Sequence, residues 1–190
     1  MNMVGMGALM GPIITERLTL RVLSPQDAEI LQAYLLENRL HLAQWEPLRD
    51  EQYFSLEQCR QRLAASYQNM EAGGALHLAV FISGSTEMIG TCHFSNIVRG
   101  VFQACHLGYA IAAKHEGRGY MREAVQAGIA HMFVQAGLHR IMANHVPDNM
   151  RSASLLQKLG FEHEGYARAY LKIHGRWQDH VLNALINPNG

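Results

Sequence analysis

Apolar positions recur along the chain with two distinct periods. Residues 17–22, RLTLRV, alternate polar and apolar side chains as a half-buried strand does. Ser24-Pro25-Gln26-Asp27 then opens a helix. Serine caps it, proline occupies the first turn where its missing N–H costs nothing, and aspartate meets the positive helix end. Ala28, Leu31, Leu35 and Leu36 form its apolar stripe. Residues 41–54, with Trp45-Glu46-Pro47, read as a loop. Ser55-Leu56-Glu57-Gln58 opens a second helix to about residue 70, with Leu56, Cys59, Leu63 and Tyr67 on one side. Strands at 76–82, 87–96 and about 102–111 follow, and their short Gly/Ser/Thr connections favour an antiparallel meander. After Gly117 the period changes. Met121, Ala124, Val125, Gly128, Ile129, Met132, Phe133 and Ala136 form the stripe of a long helix that Gly137 stops. Residues 140–146 are a strand, 149–159 a short helix ended by Gly160-Phe161, and 161–186 a hairpin reversing at His174-Gly175. Strand, long helix, strand in this order implies a right-handed parallel crossover. The predicted class is α/β (α+β): a mixed, mostly antiparallel twisted sheet with a central parallel β-α-β crossover, flanking helices and one core.

Composition narrows the function classes. The chain has 190 residues, a length suited to one domain. Residues 1–12, rich in Met and Gly, are expected to be a flexible lead, and 13–187 a single domain. Sixteen Lys and Arg balance sixteen Asp and Glu, which disfavours a basic nucleic-acid binder, so no direct DNA binding is expected. No apolar run is long enough for a membrane span, and none is expected. Cys59, Cys92 and Cys105 form no CxxC pair, which points to a reducing compartment, the cytoplasm. Eleven His fall into neither HExxH nor a Cys/His quartet, so no metal is expected.

The most chemical segment is Leu107–Ile111 followed by Glu116-Gly117-Arg118-Gly119-Tyr120-Met121 and the long helix. A strand leading through a Gly-x-Gly turn to a helix N-terminus aims backbone N–H groups outward, which suits a pyrophosphate. Glycines there allow close approach and positive φ, and Lys114, Arg118 and Arg122 add positive charge. The same turn also fits an ordinary tight reversal. Neither GxxxxGK[ST] nor GxGxxG is present, since Arg122 stands at the last glycine position. Downstream, Asn149 and Ser152 lie three apart at a helix start, where both can face one cleft or simply cap the helix.

Together these segments resemble the GCN5-related N-acetyltransferase (GNAT) superfamily. Its loop pattern is (Gln/Arg)-x-x-Gly-x-(Gly/Ala), followed by Asn-x-x-Ser/Ala and a short helix ending Gly-Phe. Here these are residues 116–121, Asn149-Met150-Arg151-Ser152 and Leu159-Gly160-Phe161. RLTLR (17–21), Trp45-Glu46-Pro47, FSNIVRG (94–100), LGYAI (107–111), HRIMAN (139–144), KLGFEHEGYA (158–167) and GRWQDHVLNAL (175–185) are similar to its RimJ-type branch, the ribosomal-protein-alanine N-acetyltransferases. The resemblance covers about residues 14–187. Glu116 departs from the pattern by placing a carboxylate where Gln or Arg is preferred, and its side chain is expected to turn outward. Met121 replaces the usual small residue.

The resemblance implies a GNAT fold, acetyl-CoA as cosubstrate, and transfer of acetyl to an α-amino group with no metal. It implies that Tyr109, Ala110 and Ile111 align the pantetheine arm, and that Gly117, Arg118, Gly119, Tyr120 and Met121 cradle the pyrophosphate. Asn149 is expected at the pantetheine amide, Ser152 as donor to the thiolate, and Lys158 at the adenosine phosphate end. The base is Glu46 or Glu164, because the RimL-type glutamate position is Leu171 here. The implied acceptor is the N-terminal alanine of a small-subunit ribosomal protein, with ribosome association and a monomer or weak dimer as further expectations. Two alternatives stand beside it: an aminoglycoside or polyamine acetyltransferase, and a ribosome-assembly factor with secondary catalysis.

Overall fold

The computed structural model describes residues 11–190, so the expected lead over residues 1–12 lies outside the described residues except for Gly11 and Pro12. The strands are β1 (Ile13–Ile14), β2 (Leu18–Arg21), β3 (Leu76–Ile82), β4 (Met88–Val98), β5 (Ala104–Ile111), β6 (Arg140–His145), β7 (Glu162–Ile173) and β8 (Arg176–Ile186). The helices are α1 (Ala28–Leu42), α2 (Leu56–Glu71), α3 (Tyr120–Val134) and α4 (Met150–Lys158). All eight strands form one sheet in the order β1-β2-β3-β4-β5-β6-β8-β7. Every neighbouring pair is antiparallel except β5–β6, which is parallel and connected through α3. This is the mixed sheet with a single crossover that the periodicity predicts. Two details differ, and a third settles what the periodicity left open. β1 is too short to register as a period. Residues 51–54 of the expected loop form a 3-10 turn. β8, not β7, lies beside β6, which leaves β7 at the edge.

Period-two alternation divides the strand side chains between two cores. Leu76, Leu78 and Val80 of β3 pack with Ala124, Val125 and Met132 of α3 on one face. Ala79 and Phe81 join Tyr34, Leu35, Cys59 and Leu63 of α1 and α2 on the other. Burying each of the Leu, Val, Phe and Met side chains among these contributes about 1.5–3 kcal/mol. α3 approaches the sheet closely at Gly128, where a Cβ would stand 2.8 Å from the Phe94 ring. The helix starts follow the capping logic of the sequence. The Ser55 hydroxyl accepts from the Gln58 N–H at 3.3 Å, and the Asp27 carboxylate accepts from the Ser24 N–H at 2.8 Å.

Candidate active site

The site lies where the sheet comes apart. β5 and β6 pair only at Ala104, Cys105 and His106 against Arg140, Ile141 and Met142. From Leu107 onward β5 keeps its antiparallel bonds to β4 but has no partner on the β6 side, so a gap opens toward the carboxyl ends of both strands. Each strand leads from that end into a helix: β5 into α3 and β6 into α4. The gap is therefore lined by the free backbone groups of Leu107–Ile111 and faced by two helix N-termini. Ligands of parallel α/β sheets bind at such carboxyl-end openings.

At the start of α3, Gly117 and Gly119 adopt φ of +72° and +80°. Among the described residues, no backbone acceptor serves the amides from Gly117 through Arg122. Successive unbonded N–H groups at a positive helix end favour an anion. Nothing lies within 4 Å of where a Gly117 Cβ would be, so space for a ligand is kept open. Arg17 fixes the loop's orientation. Its guanidinium donates to the Arg118 carbonyl at 3.1 Å and to Glu123 at 2.7 Å, and lies over the Tyr120 ring at 4.8 Å. Carbonyl and N–H point oppositely across a trans peptide, so pinning the Arg118 oxygen turns the Gly119 N–H away from Arg17. Met121 is buried and roots the helix in the core. Sequence reasoning gave Arg17 no role, since nothing local signals a partner a hundred residues away.

The charges around the loop differ from expectation. Lys114 is held by Glu37 and Glu87 at 2.8 and 2.6 Å, whereas the Arg118 side chain is exposed. Glu116 does not turn outward. Its carboxylate pairs with Arg151 of α4 and lies 3.3 Å from the His41 ring of α1. An arginine and a histidine thus answer the carboxylate that departs from the family pattern.

Across the gap, the Tyr109 and Ser152 hydroxyls are hydrogen-bonded at 2.7 Å. Asn149 caps α4, its Oδ1 accepting from the Ser152 N–H at 3.0 Å, which orients the serine. Burial raises the Tyr109 phenol to about 12, against a smaller opposing effect of the Ser152 bond, so the pair stays protonated at neutral pH. Ala110 and Ile111 end the free edge of β5. Lys158 closes α4, about 9 Å further along the helix axis than Ser152.

The two candidate bases are differently placed. Glu46 lies between α1 and α2, half-buried in a cleft lined by Leu35, Arg39, Leu42, Phe54 and His174. Its main-chain oxygen accepts from the His174 N–H at 2.8 Å, which docks this loop on the β7–β8 turn. Burial raises the Glu46 carboxyl above its ordinary range, partly offset by Arg49 and Arg62. Arg62 is itself half-buried, stacked 3.6 Å from the Tyr53 ring. Glu164 is bound to Arg140, at the end of β6 that remains paired to β5. The structure brings Tyr109, Ser152 and Asn149 together and does not bring Glu164 to them.

A sheet opened at its one parallel junction, with a glycine-turned helix start beside the opening, is the architecture of acetyltransferases of the GNAT type. Residues 17–162 match the acetyltransferase (GNAT) domain, and the chain belongs to that family. It is 45% identical over 177 residues to the ribosomal protein uS5-alanine N-acetyltransferase of Escherichia coli (strain K12), covering 93% of this chain and 91% of that protein. The structure of ribosomal-protein-S5-alanine acetyltransferase from Vibrio fischeri superposes with a TM-score of 0.90 at 38% identity, covering 95% of this chain and 98% of that one. Mycobacterium smegmatis RimJ, solved in complex with CoA-disulfide, gives a TM-score of 0.86 at 26% identity over 95% and 91% of the two chains. Among the described residues no cluster of His, Cys, Asp or Glu is suited to a metal, and no helix is long and apolar enough to cross a membrane.

Proposed function

We propose that this chain transfers the acetyl group of acetyl-CoA to the α-amino group of an N-terminal alanine on a ribosomal protein, in the cytoplasm, with residues 13–187 acting as one domain. The observation that carries this reading is the unbonded amide run at Gly117–Arg122 beside the free edge of β5, in a chain 45% identical to the uS5-alanine enzyme.

The amides of Gly117, Arg118, Gly119, Tyr120 and Met121 receive the diphosphate, and the edge at Tyr109, Ala110 and Ile111 aligns the pantetheine amides as a neighbouring strand would. Asn149 holds α4 in register with that arm, and Lys158 meets the outer phosphate. Acetyl-CoA supplies a thioester whose C–S bond breaks as the amine's N–C bond forms. An α-amino group, with pKa about 7.7–8.0, is already partly neutral near pH 7, so the base has a modest task. Glu46 accepts the amine proton through water, its burial-raised carboxyl being better matched to that exchange than an ordinary one. Ser152, oriented by its hydrogen bond to Tyr109, donates its hydroxyl proton to the departing sulfur and is reprotonated through water by the proton the amine has released. Glu164, paired with Arg140 away from Tyr109 and Ser152, takes no part.

The test is intact-mass analysis of peptides beginning with alanine, serine or an acetylated amine followed by lysine, and of spermidine, each incubated with protein and acetyl-CoA. A single 42 Da adduct (about one acetyl group by mass) on the alanine peptide is expected. Turnover confined to spermidine or the lysine side chain would replace the acceptor assignment.

A further inference from the structure

The last two strands carry a feature that the transfer chemistry does not require. Ala167 of β7 pairs with His180 of β8, and Leu171 with Gln178, so residues 168–170 together face Asp179 alone. Such an insertion is a bulge, which bends a strand and re-aims its side chains. Its middle residue, Ala169, has φ of +47°, a left-handed conformation that persists in a residue with a Cβ only where the surroundings impose it. Asp179 imposes it. Its carboxylate accepts from the Ala169 N–H at 2.7 Å and from the Tyr166 hydroxyl at 2.8 Å.

The bulge delivers Tyr170. Its ring centre lies 5.4 Å from that of His180, and its hydroxyl reaches within 3.5 Å of the Asn144 side-chain amide on β6. Asn144 lies two residues beyond Met142, the last rung joining β5 to β6. By strand alternation it shares the face of Met142 and His106, on the open side of the gap. The same hairpin is docked through His174 on the Glu46 loop. Tyr170 therefore stands beside the opening, on a strained support held by two hydrogen bonds.

We propose that Tyr170 is a specificity-determining residue: its ring, set by the Asp179-clamped bulge, is the wall that admits a small first side chain on the acceptor and excludes a large one. The proposal rests on the peptide N-terminus read above as acceptor. A rigid ring with two rotatable bonds excludes a larger side chain by overlap. A pocket that discriminates by one or a few methylenes does so by about 10–200-fold. Asp179 is a positioning residue, acting through the Ala169 amide.

The experiment measures kcat/KM with acetyl-CoA for peptides identical except for a first residue of Gly, Ala, Val or Leu. The wild-type rate is expected to fall steeply from Ala to Leu, and a flat series overturns the proposal without any variant. Tyr170→Ala is expected to reduce the Ala-over-Leu preference about tenfold or more, chiefly by raising the Leu rate. Asp179→Ala moves it the same way, whereas Asp179→Asn, which keeps an acceptor oxygen for the Ala169 N–H, restores it. KM for acetyl-CoA stays within about twofold throughout, which separates a lost wall from a damaged fold. An unchanged preference in Tyr170→Ala overturns the proposal while leaving the acceptor reading intact. A wild type that acetylates none of the peptides overturns the acceptor reading, and the wall with it.

Discussion

Tyr109 and Ser152 are individually ordinary residues, and their chemistry comes from being paired. A tyrosine desolvated in the sheet holds its proton firmly, and a serine bonded to it gains a fixed orientation. If the two act as one unit, the tyrosine setting the serine's orientation, their losses will not add. Tyr109→Phe and Ser152→Ala are each expected to lower kcat about 10²-fold with little change in KM for acetyl-CoA. The double variant should be no slower than the slower single one, a comparison that steady-state kinetics makes directly. Ser152 was legible because Asn-x-x-Ser places two side chains on one helix turn. Its bond to Tyr109 was not, since 43 residues of chain separate them and no local period encodes the encounter. The Asp179 clamp was not legible for a different reason: nothing in the local pattern of residues 166–171 marks the bulge it holds.

At the scale of elements, the N-terminus of α3 depends on a strand far away in sequence. Arg17, just before β2, holds the Arg118 carbonyl, the Glu123 carboxylate and the Tyr120 ring together. Losing one bond from a charged donor costs about 1.5–3 kcal/mol in favourable settings, here offset by the exposure of the guanidinium. Arg17→Ala is accordingly expected to weaken CoA binding about tenfold by calorimetry. Pantetheine, which lacks the diphosphate, should bind the variant and the wild type alike, and an equal loss for both ligands would deny Arg17 this role. The elements themselves were readable because helical and strand periods are local properties of the chain. The neighbour order was not: the alternation in β8 fits an edge as well as the place beside β6 that it occupies. The glycine loop was readable as a possible anion site, whereas the Glu116–Arg151–His41 contact joins three segments that only the fold brings together.

Over the whole molecule, desolvated imidazoles, His180 buried and the others half-buried, set the response to acid. Burial, with a smaller effect of His77, lowers His93 from 6.5 to about 3, and burial also lowers His77, His106, His131 and His180. Between those pH values the unfolded chain binds protons that the folded chain refuses, so stability rises with pH across that window and is lost on acidification. Glu46, raised by burial, acts in the opposite direction over the narrower range just above its ordinary value. Asp27 and Glu123, lowered through their arginine partners and hydrogen bonds despite burial, add to the loss at more acidic pH. The melting temperature is expected to fall from pH 7 to pH 5, with a shallower slope in His93→Gln, as thermal denaturation at a series of pH values would register. A midpoint independent of pH over that range would contradict the assignment.

The three-rung junction between β5 and β6 has one more consequence. Among the described residues, backbone pairing there is the one ladder joining a five-stranded raft to a three-stranded one, β6, β8 and β7. A donor bound as proposed, along the free rim of β5 with its sulfur end against α4, would staple the two rafts. Loading the enzyme is then also part of its assembly, and resistance to unfolding becomes a readout of occupancy.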